Sequence, residues 1–97
     1  MSLEVVFSPA AERDLDELFY WIAEHAGARI AVGYTDRLRA YCESLSLFPE
    51  RARLRPEIDP EVRILGFEGR TNIGYVLTAS QVVIVSFDHG GRSFKHR

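Results

Sequence analysis

One cysteine, one lysine, one tryptophan and one methionine stand among the 97 residues of this chain. A lone thiol, Cys42, cannot close an intrachain disulfide, which excludes the small stapled folds and points to a reducing compartment. No apolar run comes near the ~20 residues that a membrane helix needs. The opening Met1-Ser2-Leu3-Glu4 lacks the basic segment and apolar stretch of a secretory leader. The expectation is a cytoplasmic protein with no membrane partner. Cys42 and the three histidines, His25, His89 and His96, show no metal-ligand spacing. Gly90-Gly91 follows a strand pattern but precedes no helix, so no phosphate-cradling loop is present. No metal and no cofactor are expected.

What is present is ordinary for a folded protein: 46% hydrophobic and 27% charged residues. The length supports one domain over residues 1–97 and leaves no room for a second. The net charge of −2 is unevenly spread. Residues 1–50 carry nine acids and four bases, and residues 51–97 carry five acids and eight bases. Such a split suits two faces with different partners, though surface scatter produces it too.

Leu3 to Phe7 reads as a short strand, rich in β-branched and aromatic side chains. Ser8-Pro9 then marks a helix start, Ser8 as N-cap and Pro9 at the first helical position. Ala11, Leu15, Leu18, Phe19, Ile22 and Ala26 form one apolar stripe at helical spacing, and Gly27 is a stop. A second helix from Arg29 to Leu47 carries the stripe Ala31, Tyr34, Leu38, Tyr41, Cys42 and Leu45, and ends before Pro49. The short link makes the two an antiparallel hairpin. Residues 49–61, with Pro49, Pro56 and Pro60, read as irregular. Val62–Phe67, Thr71–Thr78 and Gln81–Phe87 read as strands of an antiparallel meander. The continuous run Val82–Val85 suits a central strand covered on both faces. Asp88 to Arg97 reads as a polar, loosely held tail. The fold class is therefore α+β, ordered β-α-α-β-β-β, with a helical hairpin packed on a small antiparallel sheet.

Several residues in this order carry a resemblance. They are Ser8-Pro9-Ala10 with Asp14-Leu15, then Ala31 and Tyr34, then Leu45, Phe48 and Pro49. Val62-Arg63, Ile73 with Tyr75, and Val82–Val85 leading to His89-Gly90-Gly91-Arg92 complete it. In this order and spacing the chain resembles the ParE/RelE superfamily of type II toxin–antitoxin toxins, most of all its ParE-like branch, also called plasmid stabilisation proteins. It departs from the family pattern at Asn72, where an aromatic is common, and at Ser93-Phe94, where an acid usually follows the terminal arginine.

The resemblance implies a toxin that binds DNA gyrase without nuclease chemistry and is neutralised, as a hetero-oligomer, by a cognate antitoxin. The alternative it implies is a ribosome-dependent mRNA endonuclease of the RelE kind. Metal-free RNA cleavage needs a base, an acid and cations for the charged phosphorane. Arg63, Arg70, His89 and Arg92 are the candidates for that chemistry. RelE-like relatives also use several lysines and often a tail tyrosine, whereas this chain has Lys95 alone and Phe94. That balance favours a non-catalytic inhibitor. His89, Arg92, Lys95 and Arg97 are then the candidates for gripping the target.

Each candidate has a plainer reading. His89 can be a strand-end histidine bonded to a neighbouring carbonyl. Arg63 can pair with Glu57, Asp59 or Glu61, and Arg51, Arg53 and Arg55 can be a solvated basic loop. His25 sits where a helix C-terminus favours a cation. Cys42 lies on an apolar stripe and reads as inert core. Tyr20 and Trp21 fall off the core stripe of the first helix and are candidates for an antitoxin or oligomer contact, Trp21 alternatively packing on the stripe's edge.

Overall fold

The computed structural model describes residues 2–57 and 59–89. The elements are β1 (Glu4–Phe7), α1 (Pro9–Ala26), α2 (Ala28–Glu43), a 3₁₀ turn at Ser44–Ser46, β2 (Leu54–Arg55), β3 (Asp59–Phe67), β4 (Thr71–Leu77) and β5 (Gln81–His89). The strands form one sheet in the order β1-β5-β4-β3-β2. β3, β4 and β5 are the antiparallel meander, and β1 joins it parallel to β5, so the sheet is mixed.

The local chemistry explains each boundary. The Ala11 N–H donates to Ser8 Oγ at 3.1 Å, capping α1, and Pro9 occupies the first turn where no donor is needed. Gly27 alone links the two helices, at φ +100°, a conformation that side chains bearing a Cβ resist. The β3–β4 hairpin turns through Glu68 and Gly69, both at positive φ, closed by the Arg70 N–H donating to the Phe67 carbonyl. Arg37 of α2 pairs with Glu68 in that turn through two bonds of 2.9 Å on the surface.

The helical hairpin lies on one face of the sheet. Ala11, Leu15, Leu18 and Ile22 of α1 and Ala31, Tyr34, Leu38 and Cys42 of α2 meet Phe67, Ile73, Tyr75, Val82, Ile84 and Phe87. Phe19 packs at the margin of this core, while Ala26 is exposed at the end of α1. Burial of this kind stabilises by ~25 cal/mol per Å² of apolar surface. Desolvation pushes the Cys42 thiol up to about 12, so it is a packed side chain and not a nucleophile.

The sheet is mixed and not antiparallel throughout, because β1 pairs parallel with β5, and the structure departs from the sequence expectations at other points too. The second helix ends at Glu43 and tightens into a 3₁₀ turn, ahead of Pro49. Residues 49–61 are not wholly irregular, because they contain β2 and the start of β3. β5 runs on to His89, so Asp88 and His89 belong to the sheet and not to a tail. Val82 and Ile84 are buried but Val83 and Val85 are half-buried. The run is central in the sheet, yet the hairpin covers only one of its faces.

Candidate functional site

The sites expected from sequence converge at one end of the sheet. Trp21 and His25 are four residues apart in α1 and so share a face. The His25 Nδ1–H donates to the Trp21 carbonyl at 2.7 Å. The two rings stack with centroids 4.0 Å apart and planes within 19°. His89, the last residue of β5, brings its ring edge-on to this pair, 5.4 Å from the Trp21 centroid. It also lies 5.9 Å from Tyr34 of α2.

A buried hydrogen-bond chain sets the imidazole. The register of β4 and β5 puts Thr71 opposite His89. Thr71 Oγ1 lies 2.9 Å from His89 Nδ1 and 2.7 Å from the Tyr34 hydroxyl. Thr71 and Tyr34 are buried, so these polar atoms depend on one another. Burial raises the Tyr34 phenol above its ordinary range; the bond to Thr71 and the nearby Arg70 and Arg37 pull the other way. The indole of Trp21 remains 47% exposed. The half-exposed indole stacks on the His25 imidazole and meets that of His89 edge-on, which makes an aromatic patch on the surface.

The expected residues divide accordingly. Trp21 and His89 come together, and Arg70 immediately precedes Thr71, the residue opposite His89. Tyr20 is 66% exposed and leans edge-on against Phe19, apart from the stack. Arg63 stands toward the other end of the β3–β4 ladder, opposite Tyr75. It does not pair with Glu57, Asp59 or Glu61: its Nη1 donates to the Ala52 carbonyl at 2.6 Å. Arg55 takes Glu57 instead. Arg92, Lys95 and Arg97 lie outside the described residues. His25, Tyr34 and Thr71 were not singled out for this site: the i, i+4 spacing on α1 links His25 to Trp21 and could have found it, whereas no spacing links Tyr34 and Thr71 to either.

A second feature lies where Arg63 points. The buried Tyr75 hydroxyl donates to the Pro49 carbonyl at 2.8 Å and accepts from the Ala52 N–H at 3.2 Å. With the Arg63 bond, these pin residues 49–52 to the sheet. The pinned segment carries exposed Leu47 and Phe48 beside it, and Arg51 lies over the Phe48 and Tyr41 rings. Among the described residues, no three His, Cys, Asp or Glu side chains are grouped to hold a metal ion. No described helix is long and apolar enough to cross a membrane.

A two-helix hairpin on a five-stranded mixed sheet with this strand order is the ParE/RelE-like fold. The family model described as the ParE toxin of the type II toxin–antitoxin system, parDE, matches residues 5–94, and the chain belongs to that family. It is thus the toxin type of a type II toxin–antitoxin pair. Among solved structures it is similar to a chain of the chromosomal ParDE system from P. aeruginosa. The TM-score is 0.81 at 18% identity, covering 91% of this chain and 96% of that one. It is also similar to a chain of the RelBE2 toxin–antitoxin complex from Mycobacterium tuberculosis. There the TM-score is 0.65 at 24% identity, with 95% of each chain covered. No curated protein sequence matches the chain.

Proposed function

We propose that this toxin arrests growth by binding DNA gyrase in the cytoplasm, without cutting nucleic acid, and that a cognate antitoxin neutralises it as a hetero-oligomer. The observation that carries the reading is the separation of Arg63 from His89. Phosphoryl-transfer chemistry on RNA needs a proton-transfer group and cations within reach of one phosphate. Here one N–H of the Arg63 guanidinium is spent on the Ala52 carbonyl, and His89 faces Trp21 and Thr71 at the other end of the ladder. The Trp21–His89 surface instead has the aromatic character of a protein-binding patch. Basic residues in the 51–97 half, Arg92, Lys95 and Arg97 among them, speed encounter with a large DNA-bound enzyme.

The RelE-like alternative, mRNA cleavage on the ribosome, has one observation in its favour: an imidazole held by Thr71, the residue next to Arg70 in the chain. One experiment separates the two. The protein is expressed alone and with its neighbouring open reading frame, and growth is followed. Arrest relieved by the neighbour is expected. In extracts, loss of gyrase supercoiling with intact messenger RNA supports the proposal. Messenger RNA cuts that vanish in His89→Ala or Arg70→Ala support the alternative.

A further inference from the structure

The candidate site depends on which way the end of β5 faces, and one irregularity in the sheet decides it. Tyr75 lies opposite Ile84, but the next pair is Gly74 with Ser86, so Val85 has no opposite residue. This is a β-bulge. Tyr75, Ile73 and Thr71 alternate along β4 and share the helix-facing side. Their opposites in β5 are Ile84, Phe87 and His89. Strict alternation without the bulge gives Ile84, Ser86 and Asp88 on that side instead. The extra residue thus turns Phe87 into the core, 4% exposed, and brings His89 against Thr71.

β5 loses its parallel neighbour just before this point. β1 ends at Phe7, opposite Ile84, and the Ser8 N–H donates to the Ile84 carbonyl at 2.9 Å as the chain turns into α1. About one and a half helical turns further on, α1 itself takes over. The Phe87 N–H donates to Asp14 Oδ2 at 3.0 Å, a helix carboxylate bonded to strand backbone two residues past the bulge. Asp14 sits between the buried Ala11 and Leu15, whose core packing fixes the helix backbone that carries it.

We infer that Asp14 is the positioning residue of the Trp21–His89 site, its carboxylate tethering the bulged end of β5 so that His89 meets Thr71. Burial of Phe87 favours the same register. Asp14 adds a directional bond to the backbone, and a charge-assisted one of this kind is among the stronger hydrogen bonds. Asn at position 14 keeps an acceptor of the same reach, whereas Ala keeps none.

The test compares Asp14→Ala and Asp14→Asn in the full chain by NMR and by growth arrest. In Asp14→Ala the Phe87 amide is expected to exchange roughly tenfold faster or more, the scale of one charge-assisted hydrogen bond. The His89 imidazole nitrogen signals and their pH profile shift, and Asp14→Asn, whose amide oxygen accepts a neutral bond, moves exchange and signals part of the way back. Should Asp14→Ala not fold, Asp14→Glu, one methylene longer, takes its place with the same expected shifts. Unchanged Phe87 exchange and His89 signals overturn the inference, as does an Asp14→Asn variant as disturbed as Asp14→Ala. The consequence for growth rests on the proposed function, while the positioning does not. Shifted His89 signals with undiminished arrest therefore uphold the positioning and count against the functional reading of the site. Lost arrest with unmoved His89 signals counts against the positioning alone.

Discussion

The Tyr34 hydroxyl and Thr71 Oγ1, 37 residues apart in sequence, lie 2.7 Å from each other inside the protein. This contact joins α2 to the first residue of β4, and Thr71 passes it on to His89 at 2.9 Å. Replacing Thr71 by Val keeps the shape and removes both bonds. It leaves a phenol in a site with little water, at a cost of about 1–3 kcal/mol. Tyr34→Phe removes the phenol itself and leaves Thr71 its bond to His89, so the expected loss is smaller, about 0.5–1.5 kcal/mol. Chemical denaturation of the three proteins gives the order wild type, Tyr34→Phe, Thr71→Val. The reverse order for the two variants means that the chain is not the unit described.

Arg63 and Tyr75 present a different choice. Both hold residues 49–52, through the Ala52 carbonyl, the Ala52 N–H and the Pro49 carbonyl. Tyr75→Phe takes the partner from the buried Ala52 N–H and from the half-buried Pro49 carbonyl, at about 1–3 kcal/mol at most for the first and less for the second. Arg63→Ala takes it from the Ala52 carbonyl alone. Limited trypsin digestion reads the consequence directly, because Arg51 sits on the pinned segment and Arg53 directly follows it. Both variants are expected to be cut there faster than wild type. A variant of Arg63 that loses toxicity with no change in cutting points to direct contact with a target, and restores Arg63 to the site.

These two clusters show how much of the molecule the chain reveals by itself. Hydrophobic period, Ser8-Pro9 and Gly27 are local signals, and they mark the helices to within a few residues. The strands from Val62 onward are legible too, β4 by its alternation and β5 by its continuous apolar run. What stays hidden is non-local. The pairing of β1 with β5, the short β2 strand and the bulge at Val85 follow from how elements stack. Trp21 and His89 were each legible as unusual residues. That they touch was not, since it depends on the bulge turning one residue by half a strand period. Arg63 shows the opposite failure: a motif position carries an expected role, and the local structure gives its guanidinium a backbone carbonyl to hold.

Cys42 offers a simple check on packing. It is fully buried on α2, and loss of water pushes its thiol up to about 12. The thiolate is the species that alkylates. Native protein near pH 8 is expected to resist iodoacetamide, with modification appearing only as fast as the chain opens. Denatured protein reacts at the rate of a free thiol. Rapid labelling of the native state means that the core around Leu38, Cys42 and Leu45 is not closed as described.

The same burial predicts how stability depends on pH on the alkaline side. Three groups, Cys42, Tyr34 and Tyr75, are neutral when protonated and have folded values raised, all chiefly by burial. Once the pH exceeds a group's ordinary value, the unfolded chain gives up that proton while the folded chain keeps it. The unfolded state then binds fewer protons, so stability falls as pH rises. For Cys42 the fall begins near its ordinary 9.0 and ends near 12. For the tyrosines it begins near 10.0. Each group contributes up to about 1.4 kcal/mol per pH unit within its window. Urea midpoints are therefore expected to decline from pH 9 and more steeply above pH 10. Cys42→Ala flattens the first part of that decline and leaves the second. If the variant keeps the wild-type slope between pH 9 and pH 10, the buried thiol is not its source.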